Sequence, residues 1–259
     1  MTSFVFVGGF WIGAWAWRDV ERELTALGHK AYPVTLTGLA ERAHLASREV
    51  RLATHVEDVV AFITVEDLHD VVLVGHSGGS AVIDGVADRV PERLAGLVYV
   101  DTGPLAEGTS VLDFSSPEER AKIETRVKDE GEGWRLPLPS WDDLGAGNLV
   151  GLSEMDLARF RERAVAHPYR AAADPVRRTH GEPVGLRKWA IMCTLPITQL
   201  RGMIAEGVPG FAVMGGPDWT LLDLSTGHWP MWSEPARLAA MLAAWPDADQ
   251  AILSARRAS

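Results

Sequence analysis

Residues 71–81 read VVLVGHSGGSA, and this stretch decides the fold. Four apolar residues, Val71 to Val74, predict a buried strand, and a helix-compatible run from Val82 to Arg89 follows the glycines. Between them, Gly75-His76-Ser77-Gly78-Gly79 matches the G-x-S-x-G pattern in a strand–turn–helix context. A serine at the apex of so tight a turn has a strained backbone, and flanking glycines remove side chains that would collide with the strand and helix. We therefore predict that Ser77 is a nucleophile, and not part of a glycine-rich loop that only turns the chain.

Outside this stretch, apolar runs alternate with helical patterns. The further predicted strands are Phe4–Val7, His29–Val34, Leu94–Val100, Lys188–Cys193 and Trp219–Leu224. The further predicted core helices are Trp15–Leu27, Thr54–Val65, Thr198–Ala205 and Glu234–Trp245. Strands that are apolar throughout are typical of a parallel sheet covered on both faces. The sequence therefore predicts an α/β fold, with a mostly parallel central sheet and helices on both faces.

The strand–helix alternation is lost from Thr102 to about Arg187. Two charged helices are predicted there, Ser116–Lys128 and Ser153–His167, each opened by a serine with acidic residues close behind it. We interpret this insertion as a helical cap that covers the site, placed before the late strands. The predicted division is a core of residues 1–103 and 188–259 and a cap of residues 104–187.

The composition of the chain limits the classes of binding partner that we expect. The chain has 259 residues and a formal net charge of −10, which argues against nucleic acid and against an anionic membrane surface. Its one cysteine, Cys193, excludes an intramolecular disulfide and predicts a cytoplasmic protein. No basic segment or cleavage site precedes Phe4–Val7, and that run is too short to span a bilayer. We expect a small-molecule substrate, no cofactor and no metal, and the sequence leaves a homo-oligomer open.

Four candidate groups follow the carboxyl ends of predicted strands, where open α/β sheets bind ligands. They are Ser77, the turn Gly8-Gly9-Phe10, Asp101 and His228. A serine hydroxyl needs a base to take its proton, and a histidine oriented by a carboxylate does this near neutral pH. The chain order serine, aspartate, histidine matches hydrolases whose serine lies in such an elbow. The N–H of Gly78, at a helix N-terminus, points to where an oxyanion would form.

His228 is the best candidate base among the eight histidines, because it follows the last strand. His76 lies in the elbow, with its side chain directed away from that of the serine. The remaining histidines either precede the elbow or lie in the cap: His29, His44, His55, His69, His167 and His180.

Two carboxylates compete for the role of the acid. Asp101 ends the strand that follows the elbow helix, 101 − 77 = 24 residues beyond the serine. Asp218 precedes the last strand, so a parallel sheet places it at the opposite end from His228. A strand of about six residues at roughly 3.3 Å each separates these ends by on the order of 20 Å. We predict Asp101; the alternatives are Asp218, another acid, or no acid at all.

Several motifs together resemble the small, cap-bearing esterase and hydroxynitrile-lyase-like branch of the α/β-hydrolase superfamily, over nearly the whole chain. They are Gly8-Gly9-Phe10-Trp11-Ile12-Gly13-Ala14-Trp15, the loop TLTGLAER at residues 35–42, the elbow at residues 75–79, and Thr226-Gly227-His228. The resemblance implies that the N–H groups of Phe10 and Gly78 form an oxyanion hole. Two departures stand out: Gly8 replaces the usual histidine, and no carboxylate follows Cys193. Some lactonases of the superfamily place the acid after the next strand from the elbow, and Asp101 fits that variant.

These features predict a serine hydrolase that cleaves a carboxylic ester or lactone of a small, largely apolar molecule through an acyl-enzyme. Three alternatives stay open: a C–C bond lyase of the hydroxynitrile-lyase type, an acyltransferase, and a non-catalytic receptor for a small ligand. The chain has ten tryptophans, and Trp134 and Trp141 lie in segments rich in glycine and proline. We predict that at least one of these two lines the substrate cavity with Trp11 or Trp229; the alternative is that they pack the cap onto the sheet.

Overall fold

A computed structural model describes residues 1–181 and 185–247 of the chain. Its strands are Ser3–Val7 (β1), Lys30–Val34 (β2), Val71–His76 (β3), Leu94–Val100 (β4), Arg135–Leu136 (β5), His167–Pro168 (β6), Arg187–Met192 (β7) and Trp219–Asp223 (β8). Six of them form one sheet in the order β2-β1-β3-β4-β7-β8, and every neighbouring pair in it is parallel. The predicted parallel sheet is thereby confirmed.

Helices cover both faces of this sheet. In chain order they are Arg18–Ala26 (α1), Leu52–Val65 (α2), Gly79–Arg89 (α3), Pro117–Asp129 (α4), Trp141–Leu144 (α5), Glu154–Arg163 (α6), Tyr169–Ala173 (α7), Ile197–Ala205 (α8), Pro230–Ser233 (α9) and Pro235–Ala243 (α10). Alternate residues of β1 divide between the faces: Phe4 and Phe6 pack in the core cluster of α1 and α10, while Val5 and Val7 pack in that of α2 and α3. No helix within the described ranges is long and apolar enough to cross a membrane.

The turn from β3 into α3 has the geometry that the sequence predicts. Ser77 has a left-handed backbone, with φ of 52°, and its N–H donates to the carbonyl of Val100 at 3.2 Å. A Cβ at Gly79 would lie 2.9 Å from the carbonyl oxygens of both Val7 and Gly8. Only glycine lets the first turn of α3 approach the end of β1 so closely, and this approach places Ser77 above the sheet edge.

The segment between β4 and β7, here called the insertion, carries α4 to α7 and a two-stranded antiparallel ribbon of β5 and β6. The prediction of a helix over Ser153–His167 was too long, since α6 ends at Arg163 and His167 lies in β6. The chain leaves the helix at Ala164 because the next N–H, that of Val165, donates to the carbonyl of Trp11 instead of continuing the helix. Residues 182–184 of the predicted cap and 248–259 of the predicted core lie outside the described residues.

Candidate active site

Ser77, His228 and Asp101 form a continuous chain of hydrogen bonds at the carboxyl edge of the sheet. The Ser77 hydroxyl donates to His228 Nε2 at 2.8 Å, and His228 Nδ1–H donates to Asp101 Oδ2 at 2.6 Å. The Asp101 side chain is 1% exposed and that of His228 is 22% exposed. A base in this geometry can take the serine proton while the carboxylate fixes its tautomer.

Asp101 is held as a carboxylate by the segment after β7. Its Oδ1 accepts the N–H groups of Cys193 and Thr194, each at 2.9 Å, and the Thr194 hydroxyl donates to Oδ2 at 2.9 Å. Burial alone would raise the pKa of Asp101. The hydrogen bond and charge of His228, together with the two backbone N–H groups, outweigh burial and hold the pKa at about 2.

Asp218 lies at the other edge of the sheet. Its carbonyl accepts the N–H of Lys188, at the start of β7, at 2.8 Å. His228 follows the opposite ends of these strands, so the structure does not bring Asp218 into the site.

Phe10 and Gly78 line the same cavity as Ser77, as the resemblance implies for oxyanion donors. Within the described chain, neither N–H donates a hydrogen bond to another protein group. The Phe10 ring packs directly against Gly78, where a Cβ would overlap the ring. Two free N–H groups beside the serine can stabilise an oxyanion.

The loop of His228 is fixed from two directions by residues that sequence reasoning did not assign. His76 Nε2–H donates to the His228 carbonyl at 2.6 Å, and the His228 N–H donates to the carbonyl of Asn148, in the insertion, at 2.8 Å. Burial, aided by the charge of His228, lowers the pKa of His76 to about 3, so this imidazole is neutral. Thr194 was missed as well, and its place directly after a strand at the site edge is the signal that could have found it.

A cavity of about 600 Å³ opens over the serine. The wall of this cavity exposes more apolar than polar surface, and its apolar side chains include Phe10, Trp11, Phe114, Ile123, Leu136, Leu144, Leu195 and Phe211. Charged side chains of α4 and α5 also line it: Glu119, Lys122, Arg126 and Asp143. Of these, Arg126 and Asp143 form an ion pair of 3.2 Å. The space and its wall fit a small, largely apolar ligand.

Of the four tryptophans proposed for substrate binding, Trp11 lines the cavity, and the lining does not include Trp134, Trp141 or Trp229. The prediction that Trp134 or Trp141 lines it is therefore wrong in this geometry. The Trp134 ring lies beneath the guanidinium of Arg135, 4.3 Å from it. Trp141 and Trp229 both pack on Phe160, with ring centroids 5.6 and 5.0 Å away. Through Phe160, which lies in the insertion, Trp229 packs the core against the insertion.

The parallel sheet, the serine elbow and the inserted helices define an α/β hydrolase. A model of the alpha/beta hydrolase family matches residues 4–241, and the chain belongs to this family.

The chain is similar to two curated proteins that are named as esterases and to a solved alpha/beta-hydrolase structure. The chain is 45% identical over 112 residues to the carbendazim hydrolyzing esterase of Nocardioides sp. (strain SG-4G), a match that spans 43% of this chain and 46% of that protein. It is 25% identical to Methylesterase 7 of Arabidopsis thaliana, over 93% of this chain and 94% of that one. An extracellular alpha/beta-hydrolase from a Paenibacillus species superposes with a TM-score of 0.78 at 23% identity, covering 92% and 96% of the two chains. Both curated relatives are named as esterases, and the match to the first of them spans less than half of either chain.

Proposed function

We propose that the protein is a serine hydrolase that cleaves a carboxylic ester or lactone of a small, largely apolar molecule. The observation that carries this proposal is the unbroken hydrogen-bond chain from Ser77 through His228 to Asp101, opening into a cavity with a mostly apolar wall. The named esterase relatives support the same chemistry.

In the proposed mechanism, Ser77 Oγ attacks the substrate carbonyl carbon while its proton passes to His228 Nε2. The Asp101 carboxylate stabilises the resulting imidazolium. The N–H groups of Phe10 and Gly78 bind the oxyanion, each contributing about 3 kcal/mol to transition-state stabilisation. The imidazolium then gives its proton to the leaving alkoxide as the tetrahedral intermediate collapses to the acyl-enzyme. Water, activated by the neutral His228, hydrolyses the acyl-enzyme and restores the Ser77 hydroxyl.

The volume and the wall of the cavity limit the size and shape of the substrate. About 600 Å³ holds a ligand with one or two rings, and its aromatic wall suits a flat apolar group. The relatives named for carbendazim and for methyl esters make a small alcohol the leaving group to test first. We retain the cytoplasm as the proposed location, on the strength of the single cysteine.

The test is fluorophosphonate labelling with peptide mapping, followed by turnover of a panel of methyl esters, p-nitrophenyl esters and lactones. We expect a covalent adduct on Ser77 in the wild type. Ser77→Ala should fold normally, because the turn tolerates a small side chain, and should lose turnover by roughly 10⁴-fold or more. An alanine variant that keeps more than a tenth of the wild-type rate would contradict the proposal.

The same panel, with a cyanohydrin added as a substrate for C–C cleavage, separates the rival activities. Release of an aldehyde or ketone by C–C cleavage, with no acyl adduct, would identify a lyase. Transfer of the acyl group to an added alcohol in preference to water would identify an acyltransferase. Binding of the esters with neither labelling nor turnover would identify a receptor.

A further inference from the structure

The residue after Phe10 has an unusual backbone. Trp11 has φ of 67°, in the left-handed region that a bulky residue rarely adopts. Such a conformation is strained and persists only where surrounding contacts impose it. Gly9 precedes Phe10 and lies against the elbow, because a Cβ at Gly9 would be 2.8 Å from Ser77 Cβ. The elbow therefore fixes the start of the short loop that contains Phe10 and Trp11.

The insertion fixes the second end. The Trp11 indole Nε1–H donates to the carbonyl of Leu136 at 2.9 Å, and the Trp11 carbonyl accepts the N–H of Val165 at 3.0 Å. Leu136 pairs with His167 in the β5–β6 ribbon, and the His167 ring lies 4.6 Å from that of Phe10. Trp11 of the core is therefore held by two segments of the insertion, and the preceding residue, Phe10, packs on one of these two.

We propose that Trp11 is a positioning residue for the oxyanion hole. Its two hydrogen bonds to the insertion hold the loop so that the Phe10 N–H stays directed at the space above Ser77. The insertion thus takes part in transition-state stabilisation as well as in shaping the cavity. This inference rests on the proposed hydrolase function, in which that N–H binds the oxyanion.

The test compares Trp11→Phe with Trp15→Phe. Each substitution removes one indole N–H and keeps an aromatic ring. The Trp15 indole N–H is buried and has no hydrogen-bond partner within the described chain, and Trp15 does not line the cavity, so it is the matched control. The measurements are kcat and KM for a short p-nitrophenyl ester, and the affinity of a trifluoromethyl ketone with the same acyl chain. Ser77 Oγ adds to the ketone carbon, its proton passes to His228, and the ketone oxygen becomes the oxyanion.

For Trp11→Phe we expect kcat and the ketone affinity each to fall about tenfold, the effect of one lost hydrogen bond, with KM changed less than about twofold. For Trp15→Phe all three should stay within about twofold of the wild type. A second variant, Val165→Pro, removes the other hydrogen bond and keeps the indole, and the extended backbone at Ala164 (ψ 136°) accepts a following proline. It should lower kcat and ketone affinity in the same way.

Two outcomes would overturn the inference. In the first, Trp11→Phe raises KM alone, with kcat and ketone affinity equal to those of Trp15→Phe, which would make Trp11 only a wall of the cavity. In the second, Trp11→Phe does not fold and Val165→Pro folds with unchanged kcat. A wild type that neither hydrolyses esters nor binds the ketone would instead refute the proposed function itself.

Discussion

At the scale of single residues, the acid of the site, Asp101, follows one strand and is held in place by residues that follow the neighbouring strand. Strands β4 and β7 are neighbours, with Val100 paired to Ile191, so Asp101 and Thr194 follow at the same edge. The carboxylate stands on β4, and the N–H and hydroxyl groups that hold it come from the end of β7. The end of β7 thereby contacts the carboxylate that accepts the hydrogen bond of His228. The carboxylate can therefore lie on β4 without altering the line of hydrogen bonds to the serine.

This geometry predicts unequal effects of two conservative substitutions. Asp101→Asn keeps the shape of the side chain and removes the charge that fixes the His228 tautomer, so kcat for ester turnover should fall by about 10⁴. Asp218→Asn, at the opposite sheet edge, should leave kcat within about twofold of the wild type. Both variants are first checked for folding by circular dichroism and thermal unfolding. A large loss in Asp218→Asn beside a near-normal Asp101→Asn would reverse the assignment.

Part of the site was predictable because it depends on chain order and strand ends. Ser77, His228 and Asp101 were placed by counting strands, since parallel strands bring their carboxyl ends to one edge. The contacts of His76 and Asn148 with His228 were not predictable, because each of them uses a backbone group, which any residue carries. The prediction that Trp134 or Trp141 lines the cavity was wrong for a related reason. An indole in an irregular segment can face either a cavity or a packed interface, and no local sequence pattern distinguishes these two placements.

At the scale of elements, the elbow depends on close packing between β1 and the first turn of α3. Gly79→Ala places a methyl group 2.9 Å from two carbonyl oxygens that belong to a buried strand end and cannot move away cheaply. We expect the free energy of unfolding to fall by about 1–3 kcal/mol. The control is Gly202→Ala in α8, where no atom lies within 4 Å of the new methyl group. That change should stabilise the protein by up to about 1 kcal/mol through helix propensity.

Urea unfolding of both variants measures the difference. Equal effects of the two substitutions would show that the contact between α3 and β1 is not tight. Ester turnover of Gly79→Ala, measured well below its unfolding midpoint, should also fall, because Ser77 is placed by the same turn.

The helices and strands of the core were largely predictable, since apolar runs and capping residues mark their ends. The predicted strand Leu94–Val100 matches β4, and the predicted helix Ser116–Lys128 differs from α4 by one residue at each end. Beyond α6 the prediction failed, because the segment is shaped by the bond between Val165 and Trp11, whose partners lie 154 residues apart (165 − 11). A contact at that separation leaves no periodic trace in the local sequence.

At the scale of the whole molecule, three neutral imidazoles are buried around the site. Burial lowers the pKa of His55, lowers that of His167 well below its usual value, and lowers that of His76 to about 3. The rings of His55 and His167 lie 5.4 Å apart, and those of His76 and His228 lie 4.8 Å apart. The folded protein keeps all three imidazoles uncharged at pH values where the unfolded chain binds protons. Its stability must therefore depend on pH through them.

The sign follows from proton binding. Between about pH 6.5 and the lowered pKa of each folded imidazole, the unfolded chain holds a proton that the folded protein does not. The free energy of unfolding therefore falls as the pH falls through this interval. Each histidine contributes up to about 1.4 kcal/mol per pH unit in this window. Asp101 affects stability in a lower pH range. Its depressed pKa adds stability that is present above about pH 4 and is lost as the pH falls toward 2. Measurements between pH 7 and 5 therefore isolate the histidines.

His167→Gln tests this dependence. Urea unfolding at pH 7, 6 and 5 should show a decline in the wild type that is smaller in the variant by up to about 1.4 kcal/mol per pH unit, because up to one proton fewer is taken up on unfolding. Any loss of stability at pH 7 from the altered packing shifts the whole curve and leaves this difference in slope. The exposed His44, changed to glutamine, is the control and should leave the wild-type slope unaltered. If His167→Gln and the wild type decline in parallel, His167 binds its proton in the folded protein as readily as in the unfolded chain. The ring beside Phe10 would then be charged in mild acid.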